Sequence, residues 1–133
     1  MAWHRQNEDS QRLATIPGVG VISATALAAS VTDPAQFRSG REFAASLGLV
    51  PRQNSSGGKD RLGRISKIGD RYLRKLLVVG ATSVVRRART SDAPAANWVC
   101  SLLDRKPARL VTVAMANKNA RIIWAVLARG ETY

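Results

Sequence analysis

The stretch from Leu49 to Leu77, LVPRQNSSGGKDRLGRISKIGDRYLRKLL, sets two serines and two glycines among dense positive charge. A serine hydroxyl can attack phosphorus when it is exposed and mobile and when nearby cations stabilise the charge that develops on the phosphate. The run Ser55-Ser56-Gly57-Gly58 is typical of an exposed turn. Two interpretations follow: a nucleophilic serine, or a flexible basic loop that only binds nucleic acid. Composition alone favours the second.

Positive charge dominates this stretch and the whole chain. Between Arg52 and Lys75 there are eight basic residues and two acidic ones, and the 133-residue chain carries a net charge of +12. The basic residues are Arg52, Lys59, Arg61, Arg64, Lys67, Arg71, Arg74 and Lys75. Arginine grips phosphate oxygens in a bidentate manner, and so strong a positive balance indicates a polyanionic partner, nucleic acid before an anionic membrane.

The sequence contains few of the residues that disulfide, metal-cluster or Ser-His-Asp chemistry requires. Cys100 is the only cysteine and His4 the only histidine, so a disulfide within the chain, a thiolate metal cluster and a Ser-His-Asp triad all lack partners. The start MAWHRQNEDSQR has no apolar core of a secretory signal. No apolar run approaches the roughly 20 residues of a membrane span. We therefore expect a cytoplasmic protein of about one domain, with no membrane partner.

A second motif, IPGVGVISATAL, spans Ile16 to Leu27. This is the pattern of a helix-hairpin-helix turn, in which an apolar residue is followed by Pro-Gly, a second apolar residue, Gly and then a helix. Gly18 and Gly20 let the backbone approach a phosphate without a Cβ, and Val19 lies between them; the N–H groups that start the next helix favour an anion. The alternative is a plain turn between helices, which also favours Pro and Gly.

Helical patterns fill nearly all of the remaining chain. The predicted helices are Val21 to Ser30, Ser39 to a stop at Gly48, Gly69-Asp70 through RYLRKLLVVGATSVVRRA, Pro94 through NWVCSLLDR, and Pro107 to Gly130. The fold class is all-α: a compact helical domain with the hairpin turn and one long basic Ser-Gly loop. Phe43, Tyr72, Trp98 and Trp124 are expected in the core; an exposed one could stack on bases.

The order of these motifs closely resembles the C-terminal domain of insertion-sequence transposases of the DEDD, Piv-invertase-like class. These are the recombinases of insertion-sequence family one hundred and ten, which include members guided by a bridge RNA. The resemblance runs from Ile16 to the end. It rests on Pro-Gly-x-Gly, Phe-x-x-x-x-x-Phe-Ala, Gly-Leu-x-Pro-Arg, Ser-Gly and Ile-Ser-Lys-x-Gly-Asp.

The resemblance implies that Ser56, the serine before Gly57, is the catalytic nucleophile, with Ser55 as the fallback. Ser56 would attack a DNA phosphodiester and form a covalent phosphoserine link. The family pairs this domain with an N-terminal RuvC-like domain whose Asp/Glu/Asp/Asp cluster binds magnesium. The implied partners are the DNA of insertion-sequence ends and targets, a guide RNA, and further transposase copies in a homo-oligomer, in a bacterial, nucleoid-associated setting.

The chain departs from that pattern at its start. Only fifteen residues precede Ile16, and none of the nine acidic residues matches the metal cluster. We therefore expect a leader over 1–15, a transposase C-terminal domain over 16–133, and a truncated protein that is inactive alone. The alternatives are a non-catalytic helix-hairpin-helix DNA-binding module and a ribosome-associated RNA binder.

Overall fold

Seven α-helices account for most of the chain in a computed structural model that describes residues 2–31, 33–49, 67–91 and 94–133. They are α1 (Ala2–Gln6), α2 (Glu8–Leu13), α3 (Val21–Ser30), α4 (Gly40–Ser46), α5 (Lys67–Arg87), α6 (Pro94–Leu103) and α7 (Ala108–Arg129). Short 3₁₀ turns lie at Pro34–Gln36 and Ala88–Thr90. These ranges contain no β-strand, and the all-α prediction is confirmed. In the same ranges no helix is both long and apolar enough to cross a bilayer.

The helix ends follow the residues that predicted them. The Ser39 hydroxyl accepts a hydrogen bond of 3.2 Å from the backbone N–H of Glu42, so Ser39 caps α4. Gly48 follows α4 with φ +73°, and Gly130 ends α7 with φ +67°. Glycine adopts this left-handed conformation at little cost, which makes it a common helix stop. The predictions for α3, α4, α5, α6 and α7 are confirmed to within a few residues.

The first fifteen residues, expected to be a leader, form α1 and α2. The Asn7 side chain accepts a 2.8 Å hydrogen bond from Ser10 N and caps α2. Leu13 is fully buried and joins the hydrophobic core, while α2 packs along α3. Only one large apolar side chain of α2 faces inward, and the remaining residues of EDSQRL are polar or charged. A helix of this composition shows little apolar periodicity in the sequence.

The core forms where α7 crosses α5 and α4. Phe43, predicted to be a core residue, is 2% exposed and meets the Phe37 ring edge to face at 5.1 Å. Trp98 and Trp124 are half-buried and pack against the core. The prediction for Tyr72 is wrong, since 58% of its surface is exposed. On α5 the inward face consists of Leu73, Leu77, Ala81 and Val85, and Tyr72 lies on the opposite side.

One close backbone contact fixes α5 against the turn before α3. A Cβ added at Gly80, in the middle of α5, would overlap the carbonyl oxygen of Gly18. Gly18 itself has φ +90°, and a Cβ there would lie 3.0 Å from a Val84 methyl carbon and 3.1 Å from the Gly80 carbonyl oxygen. Both positions therefore require glycine, one for its backbone angle and the other for the space that a side chain would need.

We predict that Gly80→Ala destabilises the protein by about 1–3 kcal/mol, because a backbone oxygen has to move away from the new methyl group. In a helix without this contact the same change would stabilise by about 1 kcal/mol, so the sign of the effect reports the contact. The measurement is thermal unfolding followed by circular dichroism. Gly20→Ala is the control, because no atom lies within 4 Å of a Cβ there. A Gly80→Ala protein as stable as the wild type would contradict the packing.

Candidate nucleic-acid interface

The turn between α2 and α3 is built so that its apolar residues face inward. Ile16 and Val19 are 2% and 4% exposed, and the Val19 N–H donates a 3.0 Å hydrogen bond to the Ile16 carbonyl. With these two side chains buried, the intervening Pro17-Gly18 backbone rests on α5 and α7. The turn is therefore held from its inner side, which leaves the start of α3 to face outward.

Asn119 of α7 anchors this turn from below. Its side-chain Nδ2 donates a 2.9 Å hydrogen bond to the Pro17 carbonyl, and the residue is 1% exposed. Its Oδ1 has no hydrogen-bond partner among the described residues. A buried amide costs free energy unless it is hydrogen-bonded, so the bond to Pro17 ties the turn firmly to α7. Asn119 was not predicted from the sequence. Its spacing could have indicated a buried position, because Asn119 lies four residues after Met115 and four before Ile123, on the same face of α7, and both of these residues are buried.

The outward side of the turn is open at Gly20. This residue precedes α3 with φ −85° and ψ −176°, and no side chain caps the helix. Its surroundings are empty within 4 Å of a Cβ position, and the next two residues, Val21 and Ile22, are 39% and 62% exposed. The first N–H groups of a helix have no partner within the helix. Together with the helix dipole they favour an anion that can come close to the backbone.

A basic surface runs along α5. From Arg71 to Ser91 the sequence holds six basic residues and no acidic one. Arg71 and Lys75 are exposed. The ion pairs between described side chains are Arg12 with Glu8 and Asp9, and Arg89 with Asp104. In this part of the chain the predicted DNA-binding residues Arg71, Arg74 and Lys75 have no acidic partner, so their charge is available to an external polyanion.

Among these basic residues, Arg74 lies beside the turn that follows α4. It is half-buried, and its Nη1 lies 3.0 Å from the point where a Gly48 Cβ would stand. The next residue, Leu49, is 2% exposed, and its carbonyl accepts a 3.1 Å hydrogen bond from Asn117 Nδ2. Leu49 is thus fixed between α5 and α7. The segment that carries the candidate nucleophile begins after Leu49 and ends where α5 starts at Lys67.

The remaining predicted site residues fall in that segment. Ser56, its fallback Ser55, and the basic residues Arg52, Lys59, Arg61 and Arg64 lie outside the described residues. Lys67 is the first residue of α5. The structure therefore brings the Gly18–Gly20 turn and the α5 cations onto one framework and fixes the residue at which the serine-bearing segment begins.

A different serine does have a histidine partner. His4 Nδ1 and Ser10 Oγ are 2.6 Å apart, and Ser10 Oγ lies 3.5 Å from Thr25 Oγ1. Ser10 is 0% exposed, so no substrate reaches its hydroxyl. This pair joins α1, α2 and α3 and is structural. Within the described ranges no group of three or more His, Cys, Asp or Glu residues could hold a metal ion.

Comparison with known proteins identifies the family. Residues 10–96, more than half of the chain, match the transposase family IS116/IS110/IS902. The chain belongs to this transposase family, and the family-level resemblance drawn from the sequence is confirmed. No solved structure matches the chain significantly.

Named relatives agree with that membership. A probable family 20 transposase of Pseudomonas aeruginosa is 57% identical over 123 residues, which cover 92% of this chain and 36% of that protein. A putative transposase of Sinorhizobium fredii is 51% identical over 134 residues, covering 100% of this chain and 35% of the relative. The transposase for insertion sequence element IS1111A of Coxiella burnetii is 46% identical over 129 residues, covering 97% and 35%. The chain spans about a third of the length of these relatives.

We predict that Gly20→Val weakens binding to duplex DNA about threefold to tenfold while the helix content stays unchanged. The extended backbone at Gly20 accepts valine without strain, but the two methyl groups hold a phosphate away from the first N–H groups of α3. Fluorescence anisotropy with a labelled duplex measures the affinity, and circular dichroism checks the fold.

Ala29→Val is the matched control, because Ala29 is exposed at the other end of the same helix. It should bind DNA like the wild type. Unchanged affinity of Gly20→Val would mean that the turn is only structural.

Proposed function

We propose that this chain is a DNA-binding and strand-transfer portion of a transposase, in which Ser56 is the nucleophile. The observation that carries the proposal is membership of the IS116/IS110/IS902 transposase family. It is supported by two features of the described residues: the open N-terminus of α3, and the six basic residues between Arg71 and Ser91, a range that contains no acidic residue. Both suit the phosphates of a DNA backbone.

The binding component is electrostatic and largely independent of base sequence. Lysine, arginine and helix N-terminal N–H groups contact phosphates and fix the register of a protein on DNA, without reading the bases. The turn at Gly18, Val19 and Gly20 would hold one phosphate against the backbone N–H groups of Gly20, Val21 and Ile22, since the Val19 N–H already donates to the Ile16 carbonyl. The basic residues of α5 and of the segment before it would contact others, so affinity should fall steeply as salt rises.

The chemical component is a transesterification. Ser56 Oγ forms a bond to phosphorus of a DNA phosphodiester, the bond from phosphorus to the leaving sugar oxygen breaks, and the serine proton ends on that oxygen. The number of phosphate ester bonds is unchanged, so a second DNA hydroxyl can reverse the step and join a new strand. Arg52, Lys59, Arg61 and Arg64 would stabilise the charge that develops on the phosphate.

Further partners belong to the same proposal. Magnesium would be held by the acidic cluster of a RuvC-like domain. The magnesium ion would polarise the phosphate. Among the described residues of this chain there is no group of side chains that could bind the ion. Joining two DNA molecules requires both at one place, for which we propose a homo-oligomer. A guide RNA is a further proposed partner, on the family resemblance.

A second candidate function is a non-catalytic DNA-binding module. It is favoured by the described residues, since the open N-terminus of α3 and the exposed cations of α5 suit phosphates without any contribution from a serine. The two candidates differ in one respect, a covalent bond to DNA. A ribosome-associated RNA binder would fit the charge but leaves the family membership unexplained.

The test uses a chimera in which this chain replaces the matching segment of the Pseudomonas aeruginosa relative. We predict that Ser56→Ala abolishes strand transfer and the covalent protein–DNA adduct, because the nucleophilic oxygen is gone. Binding of insertion-sequence end DNA should be retained, because one hydroxyl contributes little to a grip on several phosphates. Adducts are detected on denaturing gels and mapped by mass spectrometry.

Ser55→Ala is the matched control in the same chimera and should keep most of the activity. An adduct at Ser55, at Ser66 or at no serine would contradict the assignment. The isolated 133-residue chain should form no adduct. An adduct formed by this chain alone would contradict the proposed need for a RuvC-like domain.

A further inference from the structure

Tyr72 is the aromatic residue of α5, and it faces solvent in a part of the helix where Arg71, Arg74 and Lys75 are its charged neighbours in sequence. Its side chain is 58% exposed. Among the described rings, the edge-to-face contact joins Phe37 and Phe43, and the cation–π contact joins Lys118 and Trp98. Tyr72 takes part in neither. Its ring is therefore available to a partner outside the chain.

The exposed residues of α5 form a continuous band, which we call the outer stripe. It consists of Tyr72, Lys75, Val79, Ser83 and Arg86, all exposed. Steps of three or four residues place them on one face of the helix. At 1.5 Å per residue the stripe is about 21 Å long. Its apolar positions, Tyr72 and Val79, alternate with the charged positions Lys75 and Arg86.

The charge around the outer stripe selects the kind of partner. Arg71 and Arg87 lie beside it and are exposed, and the sequence from Arg71 to Ser91 contains no acidic residue. A second copy of the same stripe would bring like charges together, and an apolar protein surface would leave the cations without partners. A polyanion that also presents flat apolar groups satisfies both kinds of residue. Nucleic acid with unstacked bases has both properties.

We propose that the outer stripe of α5 binds unpaired nucleotides, with the Tyr72 ring stacked on a base, Lys75 on a phosphate next to that base and Arg86 on a phosphate farther along the strand. This inference rests on the proposed function, since it names the form of nucleic acid that this surface takes. In an intact duplex the faces of the bases are covered by their neighbours, so a ring on a helix surface finds no stacking partner there. Single-stranded DNA and single-stranded RNA share the required chemistry.

The experiment compares three ligands: an oligothymidylate, the matching oligouridylate and a duplex of mixed sequence. The wild type, Tyr72→Leu and Tyr72→Phe are titrated with each ligand at several salt concentrations. Tyr72→Leu should weaken binding to the single strands at least about fivefold, since base–aromatic stacking contributes roughly 1–3 kcal/mol per base. Its salt slope should match the wild type, because no charge is lost. Tyr72→Phe should keep the affinity.

Tyr133→Leu is the matched control, because Tyr133 is 55% exposed but lies outside α5. It should bind every ligand like the wild type, and the melting temperatures of all variants should agree. The single strand that binds with the higher affinity indicates whether the natural ligand is DNA or RNA, and either result supports the inference. Wild-type affinity of Tyr72→Leu for single strands, or an equal loss on duplex, overturns it while leaving the proposed function intact. A wild type that binds none of the three ligands overturns the proposed function as well.

Discussion

The contact between the Gly18 carbonyl and the backbone of Gly80 is the constraint on which the rest of the arrangement depends. No side chain fits at residue 80, so α5 and the turn before α3 approach as closely as two backbones can. Because the turn touches the middle of α5, the start of α3 is fixed relative to the helix that carries the densest positive charge. The two features that we propose to bind phosphates thereby become parts of one surface framework, and neither has to be ordered when a ligand arrives.

Helix α7 holds this framework together through two asparagines. Asn119 donates to the Pro17 carbonyl in the hairpin turn, and Asn117 donates to the Leu49 carbonyl just before the serine-bearing segment. Since the two residues are separated by one position on the same helix, the turn and the start of the segment are positioned by a common element. The fixed relation ends at Leu49, the last described residue before the serine-bearing segment.

Local sequence features predicted the helices well where a specific residue sets a specific backbone conformation. Ser39, Gly48, Pro94 and Gly130 mark helix ends because capping bonds, left-handed angles and the ring of proline act within one turn. Tyr72 was wrongly predicted to lie in the core. A tyrosine ring is apolar but carries a polar hydroxyl, so its residue type alone does not decide whether it lies on the buried or the exposed face of a helix. The importance of Asn119 and Gly80 was not foreseen, since it arises from contacts with residues sixty to a hundred positions away. The site prediction at Ser56 depends on a family pattern and lies outside the described residues.

Helices α5 and α7 hold the hairpin turn, and we propose that the first N–H groups of α3 thereby meet a phosphate. The most direct measurement is a titration of the ¹⁵N-labelled protein with a short DNA duplex, followed by amide NMR. We predict that the backbone resonances of Gly20, Val21 and Ile22 shift early and return toward their free positions as salt is added, while the resonances of the Asn119 side-chain amide do not shift. If these three resonances remain still while those around Arg129 and Tyr133 shift, the phosphate-binding role of the turn is contradicted.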